Sequence, residues 1–223
     1  RSTLFPYTTL FRSRTGLSLI VTVSATMLAA LVALPLGALI ALARFRGRNI
    51  VIIILNGLMG LPPVVVGLFV FLMLSRSGPL GPLGILFTPP AMILAQSMLI
   101  APIIAALTRQ VVEDLWSEYR EELTAMNLGR TAMVATLLWD ARFALATIFL
   151  AGFGRAAAEV GAVIIVGGNI DGFTRVMTTS IALETSKGNL SLAIGLGVVL
   201  IGLVMGVNAI AWTFRRWSER YAG

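Results

Sequence analysis

Two ionisable side chains, Arg155 and Glu159, stand four residues apart in FGRAAAEVGAVIIVGGN (153–169), a stretch that is otherwise uncharged and largely apolar. At helical spacing they share one face, so an ion pair along the helix is available. The order Arg before Glu is the weaker one for such a pair, which leaves one member free to reach a neighbouring helix. A charge held in hydrocarbon costs about 2.5 to 3.5 kcal/mol on insertion scales, so both groups must face protein, water or each other. Two readings compete: a buried ion pair that fixes packing, or a pair that lines or gates a pathway. Small neighbours, Gly152, Gly154, Ala156, Ala157, Ala158 and Gly161, suit a crowded seam in which backbones approach closely.

A second set of polar groups follows in GGNIDGFTRVMTTSIALETSKG (167–188). Thr174, Arg175, Thr178, Thr179 and Ser180, with Gly167, Gly168 and Asn169, offer hydroxyl donors, backbone donors and one cation within a short span of chain. Tetrahedral oxyanions are recognised by such donors, arginine adding charge-assisted bonds. The competing reading is an outer gate that never touches an anion. Cysteine and histidine are both absent, which excludes disulfides, thiolate chemistry, a Cys/His zinc site and a nucleophile and base pair built from them. No Gly-x-x-x-x-Gly-Lys-[Ser/Thr] loop occurs, so this chain is not expected to hydrolyse nucleotide by itself, and any energy source must be borrowed.

The elements that position these groups are membrane helices. The chain is 57% hydrophobic and 12% charged, with a mean hydropathy of +0.92, against roughly 25% charged residues in an average soluble domain. Five stretches meet the requirement of about 20 apolar residues for a span: 17–43, 50–75, 90–108, 143–168 and 189–214. The formal charge of +7 then records orientation. Arg44, Arg46 and Arg48 follow the first stretch, Arg109, Arg120, Arg130 and Arg142 the third, and Arg215, Arg216 and Arg220 the last; five crossings put all of these on one side. The other side holds Arg76, Arg175 and Lys187, with Arg14 on the N-terminal tail. The positive-inside rule therefore predicts a cytoplasmic C-terminus and a cytoplasmic 109–142 loop, with the N-terminus outside. Residues 1–13, RSTLFPYTTLFRS, resemble translated adapter read-through and are expected to be a non-native leader, leaving 14–223 as a single membrane domain.

Pro35, the Gly60, Pro62 and Pro63 group, and Pro102 each predict an interruption inside a span, a recurrent feature of transport pathways. Gly202 and Gly206 form a Gly-x-x-x-Gly pair expected to pack against a helix. The one long polar segment, RQVVEDLWSEYREELTAMNLGRTAMVATLLWDAR (109–142), places Val112, Leu115, Trp116, Tyr119 and Leu123 at helical spacing, with Gly129 expected at positive φ between two helices.

Within that loop LTAMNLG, followed some dozen residues later by DARFAL, resembles the EAA loop of ABC importer permeases, the coupling helix that docks into the ATPase. Leu123 stands where that family usually carries glutamate, Ala125 and Gly129 are kept, and Asp140 to Arg142 replace the usual Leu-Pro. NGLMGLPPVVVGL (56–68), SRSGPLGPLGILFTPPAMILAQ (75–96) and AGFGRAAAEVGAVIIVGGNIDGFTRVMTTSIALET (151–185) resemble the tungstate-type branch of the molybdate, tungstate and sulfate permeases, so the likeness runs from about residue 14 to the C-terminus.

The resemblance implies an all-α integral membrane protein of five transmembrane helices, type I ABC importer permease-like and homodimeric, in the bacterial inner membrane. It implies two cytoplasmic ATPase subunits and an extracytoplasmic oxyanion-binding protein as partners, no cofactor or metal, and no enzymatic activity in this chain. Tungstate is the expected cargo, molybdate or sulfate the alternatives within the family. An ion-gradient-driven transporter is the alternative from another class, with Glu159 as its single acidic candidate inside a span. Arg155, Glu159, Asn169, Thr174, Arg175, Thr178 and Thr179 are the expected pathway or gate residues, and a pair without net charge suits release of a dianion. Glu121, Glu122, Ala125, Gly129 and Arg130 are the expected coupling-loop residues, Glu121 or Glu122 replacing the missing glutamate.

Overall fold

The computed structural model describes the backbone of residues 5–127 and 129–221, and the side chains of residues 14–127, 129, 131–210, 212 and 213. Regular structure in the described residues is helical: α1 (Phe5–Leu42), α2 (Arg48–Leu58), α3 (Pro63–Leu74), a 3₁₀ turn (Gly81–Leu83), α4 (Pro89–Ala125), α5 (Arg130–Asp140), α6 (Arg142–Ala157), α7 (Gly161–Gly167), α8 (Met177–Ser186) and α9 (Leu190–Tyr221). Among the described residues three helical segments are long and apolar enough to cross a membrane, Arg14–Leu42, Pro89–Ala125 and Leu190–Ile210. The number rises to five if the bent pairs α2 with α3 and α5 with α6 each count as one span.

Proline acts differently at the three places where an interruption is expected. Pro35 and Pro102 lie inside α1 and α4 without ending either helix. At Gly60 to Pro63 the chain turns through 102° instead. Pro62 sits at the N-cap of α3 with extended backbone and Pro63 opens the helix, where a missing N–H leaves no bond unmade.

By its internal packing the chain forms two compact units, residues 1–25, 62–96 and 154–223 in the first and 26–61 and 97–153 in the second. In the first, α3 lies against α7 so closely that a Cβ on Gly67 would come 2.7 Å from the Ala162 Cα. The 75–88 link folds under α3: its Phe87 N–H donates to the Val166 carbonyl at 2.9 Å, and its ring meets Phe71 edge-on with centroids 6.1 Å apart. Helices α8 and α9 pack together in the same unit.

The second unit has a core of Ala38, Ala41, Val112, Leu123, Val134 and Leu137, with Trp116, Tyr119 and Met133 against it. Gly37 permits the approach of α1 to α4, since a Cβ there would lie 2.5 Å from the Ala105 carbonyl oxygen. The polar 109–142 segment is thus the cytoplasm-expected extension of α4, a turn, and α5. The positive φ of that turn belongs to Asn127 (+50°), whereas Gly129 has φ −64° and serves as the N-cap of α5. Asparagine tolerates the left-handed region better than most residues, so the turn is made two positions earlier than the glycine predicts. Gly202 and Gly206 have no atom within 4 Å of a Cβ position, so no described helix of this chain packs on them.

Candidate functional site

The fourth apolar stretch does not run as one helix. Its first part, α6, ends at Ala157, α7 begins at Gly161, and Glu159 lies in the break between them. The expectation that Arg155 and Glu159 share a continuous helical face is therefore corrected, although the pair itself forms, Arg155 Nη1 to Glu159 Oε2 at 2.9 Å. Part of the reason is local. The other carboxylate oxygen of Glu159 accepts the Ala162 N–H at 3.0 Å in the first turn of α7, which a residue inside a helix could not do for the turn ahead of it.

The backbone carbonyls at the break are met from neighbouring elements of the same unit, the Ala156 carbonyl in addition to the Glu159 N–H that it accepts at 3.1 Å. Thr178 Oγ1, on α8, donates to the Glu159 carbonyl at 2.9 Å, and Gln96 Nε2, on α4, donates to the Ala156 carbonyl at 3.1 Å. Glu159 is 2% exposed and Arg155 34%, so the carboxylate is enclosed while the guanidinium reaches the surface of the unit. Enclosure is tolerated because the carboxylate has both a cation and a backbone donor.

A second cluster lies in the 168–176 link. The Ile170 carbonyl accepts the N–H groups of Phe173, Thr174 and Arg175, which winds the link into a tight turn. Thr174 Oγ1 donates to the Gly167 carbonyl and accepts the Ile170 N–H, closing the turn against the end of α7. Arg175 donates to Asn169 Oδ1 and to the Asn169 carbonyl at 3.3 and 3.2 Å, and pairs with Asp171 at 2.9 Å. Arg14 pairs with the same Asp171 oxygen at 3.4 Å.

Among the seven residues expected to line or gate a pathway, the structure thus brings together Arg155, Glu159 and Thr178 at the helix break, and Asn169, Thr174 and Arg175 in the link. Thr179 stands apart from both: its hydroxyl accepts the Val176 N–H and donates to the Val176 carbonyl, capping α8. Thr174, Thr178, Thr179 and Ser180 are all buried, so the hydroxyls serve the fold's own backbone. Three participants are not marked as site residues by the sequence pattern. Gln96 is signalled only as a large polar residue in an apolar run, Asp171 only by standing four residues before Arg175, and Arg14 only by its bearing on orientation.

In the second unit Glu121, Glu122, Ala125 and Gly129 are exposed at the end of α4 and in the turn, and the side chain of Arg130 lies outside the described residues. Leu123, expected to stand in place of a glutamate by the resemblance above, is buried in the core and anchors the element from within. Arg48 donates to the carbonyls of Ile40 and Ala41 and to Glu113 Oε1, and Arg109 pairs with the other Glu113 oxygen. This network ties the end of α1 to α4 beside the polar element.

No family model matches the chain. It is similar over most of its length to several curated proteins. One is a probable anion ABC transporter permease protein of Haloferax volcanii, 41% identical over 208 residues covering 91% of this chain and 90% of the relative. Another is the tungstate uptake system permease protein TupB of Peptoclostridium acidaminophilum, 39% identical over 89% of this chain and 87% of the relative. The TupB of Campylobacter jejuni is 37% identical over 77% and 72%. A sulfate transport system permease protein CysW of Synechocystis is more distant, at 28% identity.

Proposed function

Since the chain belongs to the ABC transporter permeases, among the anion and tungstate permeases, we propose that it carries tungstate inward through the membrane, driven by ATP hydrolysis in partner subunits. The observation that carries this reading is the identity of 39% and 37% to two tungstate uptake permeases over most of both chains. Two copies of the 14–223 domain, two cytoplasmic ATPases and an external oxyanion-binding protein make up the working assembly, with five crossings, the N-terminus outside and the C-terminus in the cytoplasm. The exposed Glu121, Glu122, Ala125 and Gly129, with Arg130, form the face offered to the ATPase.

The α6–α7 break favours a gate at Arg155 and Glu159 over a passive pin. Irregular backbone at membrane depth is tolerated where protein or a water-filled cavity satisfies it, and here Gln96, Thr178 and the Glu159 carboxylate do so. Asn169, Thr174 and Arg175 form the adjoining mouth.

ATP-dependent uptake of tungstate into proteoliposomes holding this chain, its ATPase and its binding protein is the direct test. Uptake that follows an imposed ion gradient without ATP would overturn the reading, and preferential uptake of molybdate or sulfate would reassign the cargo. Arg155→Ala and Glu159→Ala then separate the two roles: normal assembly with lost uptake supports the gate, failed assembly the pin. Replacing Glu121 and Glu122 together is expected to lower transport-coupled ATP hydrolysis, and a normal rate would remove them from the coupling face.

A further inference from the structure

Arg14, on α1, and Arg175, just before α8, converge on one carboxylate oxygen, Asp171 Oδ1, at 3.4 and 2.9 Å. Asp171 is 59% exposed, whereas Arg14 and Arg175 are only 11% and 16% exposed. The two cations are held by the fold and the anion is not. Arg175 is fixed further by Asn169, through both its side-chain and its backbone oxygen, and by the turn that Thr174 closes. Arg14 has its Nε buried with no hydrogen-bond partner, a donor left over beside its pairing with Asp171. Asp171 by contrast sits at the tip of the turn, followed by Gly172 at φ +73°, and an exposed ion pair of this kind contributes little to stability.

Two guanidiniums facing one carboxylate leave one positive charge uncompensated, and a divalent tetrahedral anion would leave none. Such an anion also presents several acceptor oxygens at once, matching the bidentate reach of two arginines and the spare Arg14 donor. We propose that Arg14 and Arg175 form a binding site for a divalent tetrahedral oxyanion and that Asp171 occupies it as an internal competitor which the oxyanion displaces. The site rests on the reading of the chain as an oxyanion permease and adds to it a second ligand, Arg14, and a carboxylate that sets how weakly the anion is held. A competing carboxylate keeps the site from trapping a dianion that must move on.

The test uses the purified chain without partners in nanodiscs of phosphatidylcholine, titrated calorimetrically with tungstate. Asp171→Asn removes the competitor and is expected to tighten tungstate binding about tenfold or more, the scale of one charge-assisted hydrogen bond that the arginines no longer give to a rival carboxylate. Adding Arg14→Gln or Arg175→Gln to Asp171→Asn is expected to abolish that gain, and Arg14→Lys to keep part of it, with thermal midpoints showing that each variant is folded. The proposal is overturned if Asp171→Asn binds no more tightly than the parent chain. It is equally overturned if the gain survives loss of either arginine, if chloride at equal ionic strength competes as well as sulfate, or if the gain needs phosphatidylglycerol in the disc, which would make the ligand a lipid headgroup. ATP-driven tungstate uptake by the parent chain, measured separately with its partners, keeps the two readings apart: uptake with no tightening in Asp171→Asn removes this site alone, and absent uptake removes the transport reading whatever the calorimetry gives.

Discussion

Glu159 holds the helix break with both its side chain and its backbone. Its carboxylate holds Arg155 and the Ala162 N–H, and its carbonyl accepts Thr178. Glu159→Gln keeps an amide oxygen for the Ala162 N–H and loses the charge, whereas Glu159→Ala loses both and leaves Arg155 unpaired. Hydrogen bonds to charged groups contribute about 1.5 to 3 kcal/mol, and Arg155 recovers some solvation because it is a third exposed. The alanine variant is therefore expected to be less stable than the glutamine variant by roughly 1 to 2 kcal/mol, read as thermal unfolding in detergent. Equal midpoints would mean that the cap on α7 contributes nothing. The pair is legible from its spacing; its setting is not. Residues 156–160 make a sound helical sequence with no proline or glycine to stop it, and the break is supported by the Glu159 carboxylate on the Ala162 N–H together with Gln96 and Thr178, distant in sequence, on the carbonyls of Ala156 and Glu159.

At the scale of elements, close approach decides where change is tolerated. A Cβ on Gly67 would lie 2.7 Å from the Ala162 Cα, a backbone atom that cannot step aside without moving α7. Gly67→Ala is expected to push α3 from α7 at a cost of about 1 to 3 kcal/mol, and to disturb uptake because α7 begins where Glu159 caps it. An unchanged midpoint together with unchanged uptake would show that the two helices are packed more loosely than their geometry. The element proposed for coupling yields the opposite kind of change. Restoring the family's glutamate by Leu123→Glu places a carboxylate among Ala38, Val112 and Leu137, and is expected to lower stability by about 3 kcal/mol or more and to lose ATPase stimulation with it. A stable, coupled variant would imply that α5 can part from α4. The amphipathic pattern of Val112, Leu115, Trp116, Tyr119 and Leu123 is readable because burial at helical spacing leaves a period in the sequence. The turn is not, since asparagine and glycine both suit positive φ and only the path of α5 decides between Asn127 and Gly129.

For the whole molecule, the number of membrane crossings decides which side each loop faces. Among the described residues three segments are long and apolar enough to cross, or five if the bent pairs α2 with α3 and α5 with α6 each count as one span, although the second of these takes in α5, which the arginine distribution assigns to the cytoplasm. Composition finds apolar runs, but a run broken in its middle has the same composition whether it passes through or turns back, so the expected fourth crossing at 143–168 is the one to measure. The absence of cysteine makes single-cysteine labelling unambiguous. Met126, in the turn before α5, and Lys187, after α8, are both well exposed, at 66% and with a side chain at 55%. The orientation proposed from the arginine distribution would have Met126 in the cytoplasm and Lys187 outside, with one crossing between them. In intact cells a membrane-impermeant maleimide is expected to label Lys187→Cys and to spare Met126→Cys until the membrane is opened. The reverse pattern would invert the orientation. Labelling of both from one side would mean that α6 and α7 re-enter rather than cross, which would place the Arg155 and Glu159 break at the tip of a re-entrant loop instead of within a span.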